Sequence, residues 1–264
     1  MSQQDRDKSQ LDNECMTDED IVIDVEPIQQ EETQSVNEQA ENKDDMADNK
    51  DDEQIDFDAL LTKKKGTLFF KRIFDIVASF VGLTLLLVPL LIVAIAIKCS
   101  SKGPVFFRQE RVGKDGKIFR IFKFRTMVVD AEQRGLQITV GEDNRVTRVG
   151  KFLRKTKLDE LPQLINVLIG QMSFVGPRPD VPYYVNMYNE YERNVLKIKP
   201  GITALASIVY RDENEVLAQS DDPEKAYIYD IMPKKVKLNL EYMQKMSFWY
   251  DIKLIFMTIG IMFK

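Results

Sequence analysis

Residues 71–100 read KRIFDIVASFVGLTLLLVPLLIVAIAIKCS, and within them Ile73–Ile97 form an almost wholly apolar run. A helix of about 20 apolar residues is long enough to cross the hydrocarbon core of a bilayer. Pro89 lies inside the run, where a proline removes a backbone hydrogen bond and bends a helix. The sequence therefore predicts, over residues 63–100, a basic flank and a membrane helix that is broken at Pro89.

Basic residues flank this run on both sides. Lys71 and Arg72 stand just before Ile73, and the other flanking cations are Lys63, Lys64, Lys65, Lys98, Lys102, Arg108 and Arg111. Positively charged residues prefer the cytoplasmic side of a membrane. The pattern suits a re-entrant helix that enters and leaves on one face, and a kinked helix that spans the bilayer is the alternative.

The charge of the chain is unevenly divided. Residues 1–62 hold 21 acidic and 4 basic residues, a charge of −17, whereas the remainder holds 33 basic and 21 acidic residues, a charge of +12. The acidic segment contains a single aromatic residue, Phe57, and buries too little apolar surface to offset its ordering entropy. We predict a disordered tail over residues 1–62 and a body that binds phosphate, nucleic acid or an anionic membrane.

The composition narrows the possible chemistry. The chain has no histidine, which excludes histidine bases, histidine metal ligands and Ser-His-Asp triads. Its two cysteines, Cys15 and Cys99, do not indicate a disulfide framework. Acid–base or nucleophilic catalysis must therefore rely on Asp, Glu, Lys, Tyr, Ser or Cys.

Residues 101–264 have the pattern of a helix-rich α+β domain. Two strands, Val105–Gln109 and Lys117–Arg125, flank a turn at Gly113–Gly116 and predict a hairpin. Leu161–Ile169 has helical spacing and Gly170 would end that helix, while Asp222-Pro223 marks another helix start. The basic stretch Arg145–Leu158 is amphipathic, and the apolar run Leu254–Phe263, which follows Phe248–Tyr250, predicts either an interfacial helix or a buried one.

Asp159 and Glu160 are the candidate catalytic residues. They precede Pro162, which suits the first turn of a helix, and a helix N-terminus favours the ionised form of a carboxylate. An ionised Asp in such a place can be a nucleophile or a Mg²⁺ ligand. A helix cap with a glutamate that complements the dipole is the commoner explanation of a bare Asp-Glu pair.

Candidate phosphate-binding residues lie on both sides of this pair. Lys123 and Arg125 would share one face of the second hairpin strand, and Arg178 stands between Pro177 and Pro179. An arginine guanidinium presents a planar fork that matches phosphate. Arg154 adds positive charge upstream. The alternatives for each cation alone are a solvated basic face, a lipid headgroup patch or a structural turn.

From Lys71 to the C-terminus the sequence resembles the bacterial sugar transferase family, the monotopic polyprenol-phosphate phosphoglycosyl transferases. The matching motifs, in order, are KRIFD (71–75), GPVFF (103–107), QERVG (109–113), KFRTM (123–127), DAE (130–132), RVG (148–150), LRK (153–155), DELPQ (159–163), GPRP (176–179) and KPGIT (199–203). Each motif is weak alone, and their order and gaps together are specific. The Ala204-Leu205-Ala206 that follows the last motif departs from the family pattern and predicts a difference in a nearby substrate pocket.

The resemblance implies a reaction and a place for it. Asp159 attacks the sugar-linked phosphate of a UDP-sugar, UMP leaves, and a polyprenyl phosphate such as undecaprenyl phosphate takes the phosphosugar from the aspartate. Glu160 assists, for example by deprotonating the acceptor. Mg²⁺ binds at Asp159 and the diphosphate, and Arg154 and Arg178 contact phosphate.

The resemblance further implies a re-entrant helix and a catalytic domain, residues 101–264, on the cytosolic face of the bacterial inner membrane. It makes membrane lipids and a second copy of the chain expected partners. The pathway served would be exopolysaccharide, capsule, O-antigen or glycoprotein glycan assembly. The alternative is a catalytically silent membrane scaffold of such a pathway. Nucleic acid is not an expected partner, because no nucleic-acid-binding motif accompanies the basic body.

Overall fold

The computed structural model describes residues 55–131, 138 and 143–262. The α-helices of this part are α1 (Phe57–Lys63), α2 (Lys65–Ser100), α3 (Arg148–Lys155), α4 (Gln163–Leu168), α5 (Pro182–Val185), α6 (Leu205–Val209), α7 (Glu213–Ala218), α8 (Pro223–Ala226), α9 (Met232–Lys245) and α10 (Phe248–Met262). The strands are β1 (Phe106–Phe107), β2 (Glu110–Val112), β3 (Ile118–Arg120), β4 (Lys123–Phe124), β5 (Ser173–Val175) and β6 (Gly201–Thr203). The predicted helix-rich α+β class is confirmed.

Helix α2 contains the apolar run and continues through Pro89 to Ser100. The predicted break at Pro89 does not divide it into two helices, because one proline removes a single backbone hydrogen bond and the flanking turns keep theirs. Among the described residues, α2 is the helix long and apolar enough to cross a membrane. Most of its large apolar side chains are exposed, and Leu85 is 75% exposed.

One polar stripe attaches the first half of α2 to the domain. Lys71, Asp75 and Ser79 recur every four residues, so they share one helix face, and all three are buried. The Lys71 ammonium bonds to the Asp251 carboxylate on α10 and to the Tyr242 hydroxyl on α9. Asp75 accepts hydrogen bonds from the Ser173 hydroxyl at 3.1 Å and the Phe174 backbone N–H at 3.0 Å.

The last turn of α2 is held by the same domain. Ile97 is 1% exposed and packs with Phe124 of β4 and Leu153 of α3. The Arg125 guanidinium donates hydrogen bonds to the backbone carbonyls of Ser101 and Lys102. Both ends of the apolar helix are therefore fixed to one folded unit.

The predicted hairpin is present, with its pairing in two parts. β2 and β3 pair antiparallel around a 3-10 turn at Lys114–Gly116, and β1 and β4 pair antiparallel beyond them. Asp115 and Gly116 have φ of 57° and 73°, the left-handed conformation that a tight reversal of the chain requires. A separate parallel pair, β5 and β6, leads into the loop that contains Arg178.

The main core lies between α9, the segment around α5, and α1. The N-terminal helix α1 corrects the predicted boundary of the acidic tail. Residues 1–54 lie outside the described residues, but Phe57 is 1% exposed and belongs to this core. Asp56 caps α1 by accepting from the backbone N–H groups of Asp58 and Ala59. The one aromatic side chain of the segment thus anchors its end.

The C-terminal helix α10 is partly buried and partly exposed, so it has features of both predicted alternatives, the buried helix and the interfacial helix. Leu254 is 1% exposed and packs into the core, whereas Trp249 and Phe256 are 78% and 69% exposed. Helix α8 begins as predicted, with Asp222 as its cap and Pro223 at its first position. The basic amphipathic stretch forms α3, with Thr147 as its cap.

Candidate active site

Four chain segments meet at an open cleft of about 1970 Å³. They are β4, α3, the turn before α4 and the loop after β5, and they supply Lys123, Arg154, Asp159 with Glu160, and Arg178. These residues come from positions up to 55 apart in the sequence, so the fold alone brings the predicted carboxylates and cations together.

The turn that carries the carboxylates has a definite local cause. Lys157, two residues after the end of α3, has φ of 54°, and this left-handed residue reverses the chain. A 3-10 turn at Leu158–Glu160 follows, and Pro162 then precedes the first residue of α4. Asp159 and Glu160 are therefore held on a short rigid connection between two helices.

Asp159 is buried but half unpaired. Its side chain is 2% exposed, and Oδ2 lies 2.9 Å from the Lys123 ammonium. Oδ1 has no hydrogen-bond partner in the described part of the protein. Most buried polar atoms are satisfied, and leaving one unpaired costs on the order of 1–3 kcal/mol. The Asp159 carboxylate therefore has one oxygen available for a ligand or for an electrophile.

Glu160 is fully engaged by cations. Its Oε1 lies 2.8 Å from Arg178 and 3.2 Å from Lys123, and its Oε2 accepts a longer bond from Arg178 at 3.4 Å. Burial acts to raise the pKa of Glu160, but the charges of Arg178 and Lys123 outweigh it and hold that pKa well below its usual range. The Glu160 carboxylate in turn raises the pKa of the Arg178 guanidinium.

Arg154 completes the cationic side of the cleft. Its Nε donates to the Thr126 hydroxyl at 3.0 Å, which fixes the guanidinium beside the turn. Burial lowers the pKa of Arg154, and the nearby Asp159 carboxylate acts in the opposite direction. Arginine stays protonated despite such shifts, so Lys123, Arg154 and Arg178 surround the two carboxylates with positive charge.

Arg125 also lines the cleft, although its donors bond elsewhere, and its phosphate-binding role stays a prediction. Strand β4 ends at Phe124, so Arg125 does not continue the face that presents Lys123. Its NH1 and NH2 groups donate to the Lys102 carbonyl and to the carbonyl and hydroxyl of Ser101. Arg125 is 5% exposed and secures the end of α2 at the edge of the cleft that contains the carboxylates.

Two residues support the site in a role that the sequence did not assign to them. Asn166 on α4 donates to the Arg120 carbonyl at 3.1 Å and accepts from the Phe122 N–H at 2.8 Å. Arg72 donates to the carbonyls of Val167 and Leu168 at 2.7 and 2.9 Å. The helix that follows the carboxylates is thus tied to the hairpin that carries Lys123 and to the start of α2.

The cleft has an apolar end as well as a charged one. Ala78, Gly82 and Leu86 line it from α2, and Ile255 and Ile259 line it from α10. Gly82 allows close approach, since a Cβ there would lie 3.3 Å from Leu164 of α4. The carboxylates therefore lie in the same cavity as the surface of the apolar helix.

The side chains that the structure describes at this cleft do not form a complete site for a divalent cation, so a bound substrate would have to supply further oxygen ligands. In the described ranges, no three Asp, Glu or Cys side chains come together as a metal site. Mg²⁺ commonly takes one or two carboxylate oxygens and completes its shell with substrate phosphates and water. The unpaired Oδ1 of Asp159 is an oxygen donor of this kind.

Comparison with known proteins gives one family. The model of the bacterial sugar transferase family matches residues 66–264. The chain is 45% identical over 194 residues to a UDP-glucose:undecaprenyl-phosphate glucose-1-phosphate transferase of Klebsiella pneumoniae, covering 72% of this chain and 39% of that protein.

Two further relatives extend the comparison. A UDP-N-acetylgalactosamine-undecaprenyl-phosphate N-acetylgalactosaminephosphotransferase of Aeromonas hydrophila is 38% identical over 196 residues, covering 72% of this chain and 43% of that protein. A UDP-glucose:undecaprenyl-phosphate glucose-1-phosphate transferase of Caulobacter vibrioides is 38% identical over 195 residues, covering 72% and 68%. The chain spans about two fifths of the length of the first two relatives.

Proposed function

The chain belongs to the bacterial sugar transferase family, and on that premise we propose that it is a phosphoglycosyl transferase. Its reaction moves a sugar 1-phosphate from a UDP-sugar to undecaprenyl phosphate. The relatives named above are such transferases for glucose and for N-acetylgalactosamine. One observation carries the proposal: a buried carboxylate with an unpaired oxygen lies in a cleft that is lined by both cationic and apolar side chains.

In the first step, an Asp159 carboxylate oxygen attacks the phosphorus that bears the sugar. The bond from that phosphorus to the bridging oxygen breaks, and UMP leaves with the bonding electron pair. The product is an aspartyl phosphosugar, an acyl phosphate. The Oδ1 atom suits this role because it has no bond to give up, while Lys123 holds Oδ2.

In the second step, a phosphate oxygen of undecaprenyl phosphate attacks the same phosphorus. The acyl phosphate bond breaks, Asp159 leaves as a carboxylate, and the diphosphate-linked sugar lipid forms. A phosphate monoester has a second pKa near about 6, so the acceptor is already mostly dianionic at neutral pH. The step therefore needs no strong base.

Glu160 has the properties of an orienting residue. Its low pKa makes it a weak proton acceptor in the free protein, which argues against proton abstraction from the acceptor. It instead holds Arg178 and Lys123 in place beside the reacting phosphorus. Lys123, Arg154 and Arg178 stabilise the charge of the diphosphate and of the leaving UMP.

Mg²⁺, when bound, would neutralise negative charge on the diphosphate, with Asp159 and the donor phosphates as its ligands.

The location follows from the two substrates. UDP-sugars are water-soluble and undecaprenyl phosphate is a lipid, so the cleft must lie at a membrane surface. The exposed apolar sides of α2 and α10 support contact with the bilayer. We propose a re-entrant α2 and a catalytic domain on the cytosolic face of the inner membrane. The expected homodimer and the pathway served stay predictions.

A single-turnover experiment tests the proposal. Purified protein in nanodiscs receives a UDP-sugar labelled at the β-phosphate, without a lipid acceptor, in a panel of UDP-glucose, UDP-galactose, UDP-N-acetylglucosamine and UDP-N-acetylgalactosamine. We expect about one UMP per protein, together with label on the protein that hydroxylamine removes. Added undecaprenyl phosphate then restores turnover.

The Asp159→Asn variant decides the role of the nucleophile. We expect loss of at least about a thousandfold in UMP release and no labelled protein, because an amide oxygen is a poor nucleophile. Asp115→Asn is the matched control, since Asp115 is exposed on the hairpin turn and asparagine accepts its left-handed conformation. UMP release by Asp159→Asn at the wild-type rate would refute the mechanism. Silence of the wild-type protein on every sugar would favour a membrane scaffold.

A further inference from the structure

A polar pocket adjoins the phosphate end of the cleft. It is formed by Tyr184, Ser207, Glu213, Tyr227 and Lys235, which come from α5, α6, α7, the turn after α8, and α9. Glu213 lies close enough to Arg178 for its charge to raise the pKa of that guanidinium. The polar pocket is therefore next to the place where the donor phosphates bind in the proposed function.

Two hydroxyl groups in this pocket are buried without a partner in the described structure. The Tyr184 Oη and the Ser207 Oγ have no hydrogen bond, and Tyr184 is only 3% exposed. A buried hydroxyl without a partner destabilises the folded state, so such groups in native proteins call for an explanation. Burial also raises the pKa of Tyr184 to about 12, so its hydroxyl remains a hydrogen-bond donor at every physiological pH.

A nearly buried ion pair forms another wall. Lys235 Nζ lies 2.8 Å from Glu213 Oε2, and their side chains are 11% and 22% exposed. The Lys235 ammonium also lies 5.1 Å from the centre of the Tyr227 ring. The other oxygen of Glu213 has bonding capacity left, so the pocket offers a charged acceptor beside two neutral hydroxyls.

We propose that this polar pocket binds the sugar ring of the donor, with the Tyr184 and Ser207 hydroxyls bonded to hydroxyl groups of a hexopyranose. The inference rests on the proposed function, which makes the donor a UDP-sugar. The sugar is linked to the phosphate that Asp159 attacks, so it must occupy space next to Arg178 and Asp159. The opposite end of the cleft, between α2 and α10, is apolar and suits the lipid acceptor.

The position of the pocket agrees with a departure in the sequence. Ala204-Leu205-Ala206, where this chain differs from the family pattern, leads directly into the turn of α6 that carries Ser207. Ala204 itself lines the cleft. Different residue types at positions 204–206 would change the lining of the polar pocket and leave Asp159 and Glu160 unchanged.

The Tyr184→Phe and Ser207→Ala variants test the inference through two readouts. We expect each to lower kcat/KM for the preferred UDP-sugar by about tenfold, the effect of one lost hydrogen bond to a substrate hydroxyl. We expect the inhibition constant of UMP to change less than twofold, because UMP lacks the sugar. The thermal unfolding midpoint should stay equal or rise, because neither hydroxyl has an internal bond to lose. Tyr183→Phe is the matched control, since Tyr183 is 46% exposed and lies outside the cleft wall.

The possible outcomes separate the inference from the proposed function. Unchanged kcat/KM in both variants overturns the sugar pocket, and so does an equal weakening of UMP, which would mean that the pocket holds uridine. If the wild-type protein releases no UMP from any donor, the proposed function fails, and calorimetric titration of the Asp159→Asn protein with UDP-glucose and UMP decides the pocket instead. Weaker binding of UDP-glucose alone when Tyr184→Phe is added supports the pocket. Equal affinity with and without Tyr184→Phe, or no binding of UDP-glucose, overturns it.

Discussion

The adjacent carboxylates of Asp159 and Glu160 differ in their hydrogen bonds, which suits them to different roles in the cleft. Both contact Lys123, but Asp159 keeps one oxygen unpaired whereas both oxygens of Glu160 accept from Arg178. An unpaired carboxylate oxygen can form a bond to phosphorus, and a fully paired one can hold cations in position.

The pH dependence of the free energy of unfolding should reveal the depressed pKa of Glu160. A carboxyl group whose folded-state pKa is depressed stabilises the fold above its unfolded pKa, and this stabilisation disappears as the pH falls through the folded pKa. We expect Glu160→Gln to be less stable than the wild type by a constant amount from pH 7 to about 5. The difference should begin to shrink below about pH 4, where the carboxyl group of the unfolded chain becomes protonated, and it should vanish only below the depressed pKa of the folded state.

Denaturant unfolding in detergent at pH 7, 5 and 3.5 measures this difference. Glu110→Gln is the matched control, because Glu110 forms a 3.1 Å pair with Arg120 in which both side chains are more than half exposed. Surface pairs of that kind contribute roughly 0–1 kcal/mol. A Glu160→Gln curve that runs parallel to the wild type at all three pH values would contradict the depressed pKa.

At the scale of single residues, some members of the candidate site could be predicted from the sequence and others could not. Asp159, Glu160 and Arg178 were located by motifs, and Lys123 by alternation along a strand. The bonds of Arg125 to carbonyl groups at the end of α2 could not be read from the sequence, and its predicted phosphate-binding role stays a prediction. Tyr184 and Ser207 carry no signal at all, since an unpaired hydroxyl becomes visible only when its surroundings are known.

At the scale of elements, helix α4 connects the hairpin that carries Lys123 to the turn that carries Asp159. Asn166 on α4 is fully buried and forms hydrogen bonds with Arg120, Phe122 and Gln171. The first two belong to the hairpin that carries Lys123, and α4 itself follows Asp159. The Lys123–Asp159 distance of 2.9 Å is thus set by a side-chain amide between two elements.

Replacing that amide should affect both stability and catalysis. Asn166→Ala leaves the Phe122 N–H without its partner and removes one of two donors to the Arg120 carbonyl, so we expect a loss of about 1–3 kcal/mol in the free energy of unfolding. We expect at least a tenfold lower rate of UMP release, because displacement of Lys123 by about 1 Å disturbs the nucleophile. Assays below the unfolding midpoint measure the folded protein, with the exposed Asn186→Ala as the control. A folded Asn166→Ala protein that releases UMP at the wild-type rate would show that the hydrogen bonds of Asn166 do not contribute to catalysis.

Element prediction succeeded where the pattern was local. The hairpin turn, the cap of α8 and the end of α4 at Gly170 depend on nearby residues, and the structure confirms them. Helix α1 was missed because it follows directly on a polar and acidic segment, and its formation depends on placing Phe57 among distant core residues. The uninterrupted α2 was missed because the effect of one proline was overestimated.

At the scale of the whole molecule, polar contacts join the two ends of α2. Arg72 bonds to the end of α4, Lys123 bonds to Asp159 before the start of α4, and Arg125, two residues later, bonds to Ser101 and Lys102. If α2 were straight, the 30 residues from Lys71 to Ser101 would extend about 45 Å, well beyond a hydrocarbon core of about 30 Å. Charged side chains and irregular backbone cannot bridge such a core. The contacts of both ends with one domain support the proposed re-entrant topology, in which both ends lie on one side of the membrane.

Cysteine accessibility tests this topology directly. In a background with Cys15→Ser and Cys99→Ser, single cysteines are introduced as Gly66→Cys before the apolar run and Lys102→Cys after it. Both positions are exposed, and a side chain at Gly66 meets nothing within 4 Å. We expect a membrane-impermeant maleimide to label both variants in inside-out vesicles and neither in intact spheroplasts. Leu85→Cys, at a site that is 75% exposed in the middle of the run, should resist labelling from either side because lipid covers it. Labelling of Gly66→Cys and Lys102→Cys from opposite faces would establish a spanning helix, and the contacts that tie both ends of α2 to one domain could not then exist in the membrane.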